Sequence, residues 1–245
     1  MTTQRRSNAR RGATEMLHAI VFDFDGVLAD SEPLHFEVYR RVMADVGITL
    51  STDLYYERYL GYDDVGGFRA MLEDHGRAAD EGAVGTLVKN KANMFQLLVD
   101  GQNVLFDGVA DRVRAFAAEV PLAIASGALP HEIELILKGA GLRDAFHVVV
   151  GAGDTPRSKP APDPYARAVA LLQERGLVPR EADAVSRCVA IEDSKWGLLS
   201  AKAAGLATVA VTTSYPAGEL GEADLIVDRI DALSLDTLKA LVSPR

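Results

Sequence analysis

The stretch Ala19-Ile20-Val21-Phe22-Asp23-Phe24-Asp25-Gly26-Val27-Leu28-Ala29-Asp30 decides how the rest of the chain is read. Its apolar, partly β-branched start predicts a buried strand, which stops at two aspartates one residue apart and a glycine. Side chains alternate along a strand, so Asp23 and Asp25 are expected to point the same way while Phe24 turns into packing. Gly26 permits a sharp turn and a close approach of the backbone to whatever sits there. Two carboxylates held that close repel unless a cation or a proton lies between them. A plain Asp-rich turn after a strand has the same four letters, so the remaining chain has to decide.

Working outward, 245 residues suffice for one large core, or a core with a smaller companion domain. No apolar run approaches the length that crosses a bilayer, so no transmembrane helix and no membrane partner are expected. The net charge of −9 and the lack of a basic stripe with interleaved aromatics in the body of the chain argue against nucleic acid as a partner. A single cysteine, Cys188, forms no internal disulfide framework and fits a reducing cytoplasm; it sits in an apolar run and reads as packing. Residues 1–15 carry Arg5, Arg6, Arg10 and Arg11 without apolar periodicity or the apolar core of a signal peptide, and read as a disordered tail.

After Asp30 the period changes. Ser31 and Pro33 look like a helix start, Leu34, Val38, Val42 and Val46 form an apolar stripe, and Gly47 ends it. The pattern stays helical to about residue 100, with no convincing strand, so residues 32–104 read as an all-helical insert. From about residue 105, apolar strands alternate with helices: strands at 122–125, 146–150, 189–191, 208–211 and 225–227, helices at 109–119, 130–140, 160–175 and 195–204, then a terminal helix. Short, fully apolar strands between helices predict a doubly wound parallel sheet, built from residues 16–31 and 105–245.

In such a sheet ligands bind beyond the carboxyl ends of the strands. Four polar signals stand there: Asp23 with Asp25, Ser126 with Gly127, Lys159, and Glu192 with Asp193. The carboxylates of Asp23, Asp193 and Glu192 suit Mg²⁺, a hard cation that shares phosphate oxygens, and no Cys/His cluster suggests zinc. Asp23 is placed to attack phosphorus, and Asp25 to give a proton to the leaving alkoxide and later take one from water. Lys159 would neutralise the phosphoryl group, with Ser126 and the Gly127 N–H binding its oxygens.

These residues carry a resemblance to the haloacid dehalogenase (HAD) superfamily. The matches are Phe22-Asp23-Phe24-Asp25-Gly26, Ala125-Ser126-Gly127, Ser158-Lys159-Pro160-Ala161-Pro162-Asp163 and Ile191-Glu192-Asp193-Ser194, in the family's order. The insert after the first motif is similar to the cap of the subgroup holding β-phosphoglucomutase and phosphoglycolate phosphatase. The resemblance implies an HAD-like Rossmannoid core with a small helical cap that closes over the site and selects substrate. It also implies that Asp25 meets Mg²⁺ through its backbone carbonyl. Named dehalogenases of the family lack the second aspartate, and this chain has it.

A phosphatase acting on a small phosphorylated metabolite, a sugar phosphate or a phosphoglycolate-like acid, is thus the expectation, with a phosphosugar mutase as the alternative and non-catalytic phosphate binding behind both. His35 stands twelve residues after Asp23, as in the mutase. The mutase's Lys-Gly segment and cap arginine correspond to Leu60-Gly61-Tyr62-Asp63-Asp64, where acidic residues would repel a second phosphate, and Leu129 stands where the mutase has lysine. His35 reads either as a partner of Asp25 or the substrate, or as a helix-surface histidine. Gly61 reads as a hinge or a substrate contact, and Asp63 and Asp64 as specificity residues or as the start of a helix. Lys89 and Lys91 are expected on a solvated helix face, Trp196 in packing, and the protein as a monomer.

Overall fold

Short apolar runs, buried on both faces in the central strands, build a six-stranded parallel sheet whose strands, numbered in chain order, lie in the order 3-2-1-4-5-6. The computed structural model describes residues 17–60, 62, 64–99 and 103–243. Residues 1–16, which include the tail expected over 1–15, and Gly61 and Asp63 lie outside the described residues. Contacts divide the chain into two compact units, one of residues up to Asp30 and from Leu105 onward, the other Ser31–Val104. Among the described residues, no helix is long and apolar enough to cross a membrane.

In the first unit the strands are β1 (Ala19–Phe22), β2 (Leu122–Ala125), β3 (Phe146–Val150), β4 (Cys188–Glu192), β5 (Ala207–Val211) and β6 (Leu225–Val227). β1 pairs with β2 on one side and β4 on the other, so the strand order reverses between β1 and β4. That reversal opens the crevice where a doubly wound sheet binds its ligand. Period two sorts the side chains. Ala19 and Val21 of β1 and Cys188 and Ala190 of β4 join one apolar layer, together with Tyr165, Ala168 and Leu172. On the opposite face Phe22 stacks on Phe116 with ring centroids 6.5 Å apart and meets Phe146 edge-on at 5.8 Å. Helices therefore cover both faces, and the sheet is doubly wound.

The second unit holds α1 (Glu32–Asp45), a short helical segment through Thr52–Leu54 and Tyr55–Tyr59, α2 (Asp64–Asp74) and α3 (Glu81–Val99). Ser31 is not the expected side-chain cap: its backbone is already helical (φ −86°, ψ −20°), and its side chain makes no capping hydrogen bond. Gly47, at φ +76°, does end α1 in the left-handed conformation that glycine adopts without steric cost. The core of this unit is aromatic, with Tyr39 lying 4.8 Å from Phe68 and 5.6 Å from Tyr55.

Lys91 corrects the sequence reading. It is buried rather than solvated, and its ammonium lies 2.7 Å from Asp64 Oδ1, which also accepts the Tyr39 hydroxyl at 2.9 Å. The ammonium stands 5.3 Å and 5.7 Å from the Tyr39 and Phe95 ring centroids. Asp64 opens α2 and holds this pair, an internal role. Removing one partner of a buried ion pair costs more than the pair is worth intact. Asp64→Ala is therefore expected to lower unfolding free energy in urea by about 3 kcal/mol, the low end for a buried pair because Asp64 is partly exposed. Adding Lys91→Met should recover most of that loss, because a thioether fills the place of the lysine stem. An unchanged urea midpoint for Asp64→Ala would show that the pair does not organise the helical unit.

Candidate active site

At the β1 end, the ladder runs one residue past the strand: Asp23 N–H donates to Ile191 O at 2.9 Å, so Asp23 lies beside Glu192. Both continue the parity of the layer that contains Val21 and Ala190, and both are buried. Asp193 follows, and carboxylate oxygens of Asp23, Glu192 and Asp193 all lie within 4.8 Å of one another. Lys159, from the loop after β3, meets this group with its ammonium 2.9 Å from Asp23 Oδ1 and 2.5 Å from Glu192 Oε1. Asp23 Oδ1 is buried and, apart from that ion pair, accepts no hydrogen bond.

Both oxygens of Glu192 are engaged. Oε1 takes the Tyr165 hydroxyl at 2.7 Å beside Lys159, and Oε2 takes the Ser194 hydroxyl at 3.1 Å and the N–H of Asp193 at 3.2 Å. Ser194 then caps α7 (Lys195–Ala203; α4 to α6 being Val109–Ala117, Pro130–Gly139 and Asp163–Glu174) by accepting the Gly197 N–H. Glu192 and Asp193 thus sit just before a helix N-terminus, whose dipole favours negative charge. The Ser214 hydroxyl, in the loop after β5, donates to Asp193 Oδ2, and Thr213 donates to the Gly26 carbonyl.

Burial, then the neighbouring charges of Asp23 and Glu192, push Asp193 up to about 7. Burial raises Glu192 as well, followed by Asp23, while Lys159 and Tyr165 pull it back. Burial works against the Lys159 charge, but Asp23 and Glu192 more than offset it and hold the ammonium above its usual range. Three carboxylates against one ammonium leave two negative charges when all are ionised. That excess and the hard oxygen donors fit a divalent cation held by Asp23, Asp193 and Glu192.

The chain beyond Asp23 folds into a tight loop, with Gly26 N–H bonded to Ala29 O at 2.9 Å and Leu28 N–H to Phe24 O at 2.8 Å. Asp25 lies in this loop and forms a bridge with Ala29; its carboxylate is not part of the three-residue cluster. At the end of β2, Ser126 N–H bonds Val150 O at 2.9 Å, and its buried hydroxyl accepts Ala128 N–H at 3.1 Å. Gly127, next in that turn, is exposed. The carboxyl end of the sheet therefore carries Asp23, Ser126, Lys159, Glu192 and Asp193. His35 belongs to the helical unit, half-buried and stacked 4.6 Å from Phe95; burial, then Lys91, push its imidazole down to about 3, so it is neutral at pH 7. Gly61 lies outside the described residues.

Tyr165, Thr213 and Ser214 escaped the sequence reading. The hydroxyl run Thr212-Thr213-Ser214 follows a strand end, as Ser126 does, and that position was its signal. Trp196, expected in packing, is 58% exposed, because α7 buries Gly197, Leu198, Ser200 and Ala201 on its other side.

Comparison with known proteins follows the same core. A family model described as haloacid dehalogenase-like hydrolase matches residues 17–205. Protein CbbY of Cupriavidus necator is 34% identical over 226 residues, covering 86% of this chain and 84% of its own. Fructose-1-phosphate phosphatase YqaB of Escherichia coli is 27% identical, covering 80% of this chain and 97% of its own. The crystal structures of Rhodobacter sphaeroides CbbY with phosphate, and of a mutant with xylulose-(1,5)bisphosphate, superpose with TM-score 0.77 at 27% identity, covering 91% of this chain and 99% of theirs.

The geometry makes Gly26 a sensitive position. Its φ is +75°, and a Cβ there would lie 1.9 Å from Asp193 Oδ2. Gly26→Ala is expected to cost about 1–2 kcal/mol from the left-handed backbone alone, and more from displacing Asp193. Denaturant titration checks this, and wild-type stability would contradict the contact.

Proposed function

Since the chain belongs to the haloacid dehalogenase-like hydrolase family, we propose that it is a Mg²⁺-dependent phosphatase that hydrolyses a small phosphorylated metabolite through an aspartyl-phosphate on Asp23. The observation that carries this reading is the buried Oδ1 of Asp23, 2.9 Å from the Lys159 ammonium and with no hydrogen bond besides that pair, at the reversal point of the sheet.

An Asp23 carboxylate oxygen forms a bond to phosphorus as the ester P–O bond breaks, and Asp25 gives its proton to the departing alkoxide. Water then attacks the aspartyl-phosphate, Asp25 takes the proton back, and inorganic phosphate leaves. Lys159 faces the charge that spreads over the phosphoryl oxygens, with the Ser126 hydroxyl and the Gly127 N–H as further donors. When bound by Asp23, Glu192, Asp193 and the Asp25 carbonyl, Mg²⁺ supplies charge neutralisation of the phosphoryl group. Hard anionic oxygens, tightly grouped and short of counter-charge, support that metal over a softer one. Residues 32–104 are read as the insert that selects substrate, with His35 and Gly61 as its contributors. A sugar phosphate is the substrate class supported by the fructose-1-phosphate phosphatase relative and the sugar bisphosphate bound to CbbY, with a phosphoglycolate-like acid kept on the panel as the second class.

Phosphate release from a panel of phosphorylated metabolites with Mg²⁺ tests the reading, with β-glucose 1-phosphate included and glucose 6-phosphate followed in the same reaction. Release from one or a few monophosphates is expected; isomerisation with little free phosphate would make the protein a mutase. Asp23→Asn should lower turnover by at least about a thousandfold. Lys159→Ala should lower it by roughly 10²–10³, the usual loss for one charge-stabilising donor. Chelation should silence the enzyme, and metal-independent turnover would refute the carboxylate site.

A further inference from the structure

Lys159 carries its charge on a flexible four-carbon stem, so something must fix where the ammonium rests. Two of its partners are the carboxylates already described. The third is Tyr165, fully buried in the first turn of α6 and six residues past the lysine. Its ring centroid lies 5.1 Å from Lys159 Nζ, and its hydroxyl donates to Glu192 Oε1, the same oxygen that Lys159 meets. The far oxygen of Glu192 is held by Ser194 and Asp193, and Gly197 leaves room for the carboxylate: a Cβ there would lie 1.9–2.0 Å from its atoms. Glu192 cannot rotate without breaking these bonds, and Tyr165 closes the set on the side that Lys159 uses.

We propose that Tyr165 is a positioning residue: its hydroxyl fixes the Glu192 carboxylate, and its ring and that carboxylate together set the Lys159 ammonium against Asp23. The ring supplies a face toward the cation, and the hydroxyl occupies one lone pair of Oε1 so that Lys159 has a single direction of approach. Tyr165 touches neither substrate nor metal in this role. It acts through Lys159, and the inference rests on the phosphatase reading.

The test is Tyr165→Phe, which keeps the ring and the packing and deletes only the hydroxyl. kcat/KM on the best substrate of the panel is expected to fall about tenfold, the usual worth of a hydrogen bond to a charged group. The affinity for inorganic phosphate with Mg²⁺, measured by calorimetry, should weaken in parallel, while the melting temperature stays within about 4 °C of wild type. The deciding measurement is the double-mutant cycle. In a Lys159→Ala background the same tyrosine change should cost less than about twofold in phosphate affinity, because the group it positions is gone. Full activity of Tyr165→Phe, or an equal loss in both backgrounds, would overturn the inference and leave Tyr165 a packing residue. Absence of turnover in the wild type on every substrate would instead sink the phosphatase reading, with the phosphate-binding cycle still deciding for or against Tyr165.

Discussion

Crowding of like charge at the ends of β1 and β4 is the constraint that the first unit is built to meet. Two unit charges 4 Å apart repel by about 4 kcal/mol at an effective dielectric of 20, and three carboxylates share such distances here. The surroundings answer with fixed groups: one ammonium, the hydroxyls of Tyr165, Ser194 and Ser214, and the Asp193 N–H just before α7. These partners hold the acids in place without cancelling their charge, and Asp193 is raised by its burial first and by the charges of Asp23 and Glu192 after it. A site left short of counter-charge in this way is what the proposed divalent cation and phosphate would complete.

The same crowding explains two glycines that secondary structure alone would not demand. Gly26 lets the backbone pass against the Asp193 carboxylate, and Gly197 lets the first turn of α7 sit over Glu192. In each case a methyl group would occupy the place of a carboxylate oxygen. Glycine near the start of a helix has an entropic cost; at Gly197 that cost is exchanged for a buried acid held close to the helix N-terminus. The helical unit solves a smaller version of the problem, with a buried lysine beside one carboxylate and two aromatic faces.

The fold was legible because its signals are periodic. Fully apolar strands between helices predicted a parallel, doubly wound sheet, and the residues at strand ends predicted where polar groups would gather. Lys91 was misread although its position was informative: Val84, Leu87, Lys91, Phe95 and Val99 recur at helical spacing, and all five are buried. Residue type outweighed period there, where period should have prevailed, since a lysine in an apolar stripe implies an acid facing it. Trp196 is the converse, a large aromatic ring taken for core when the small residues that follow it form the buried face of α7.

Apart from Ser126, hydroxyl groups were the illegible part of the site, and the reason is physical. A carboxylate or an ammonium at a strand end reveals itself by its cost of burial, whereas a hydroxyl is common, nearly neutral in cost, and informative only once its acceptor is known. Tyr165 reaches Glu192 across 27 positions, Ser214 reaches Asp193 across 21, and Thr213 reaches Gly26 across 187. None of these separations has a period, because each is set by the strand order of the sheet rather than by any one element. The acids and the lysine define what chemistry the site supports, and the hydroxyls define how rigidly it is held. Sequence pattern carries the first kind of information, and only the folded topology carries the second.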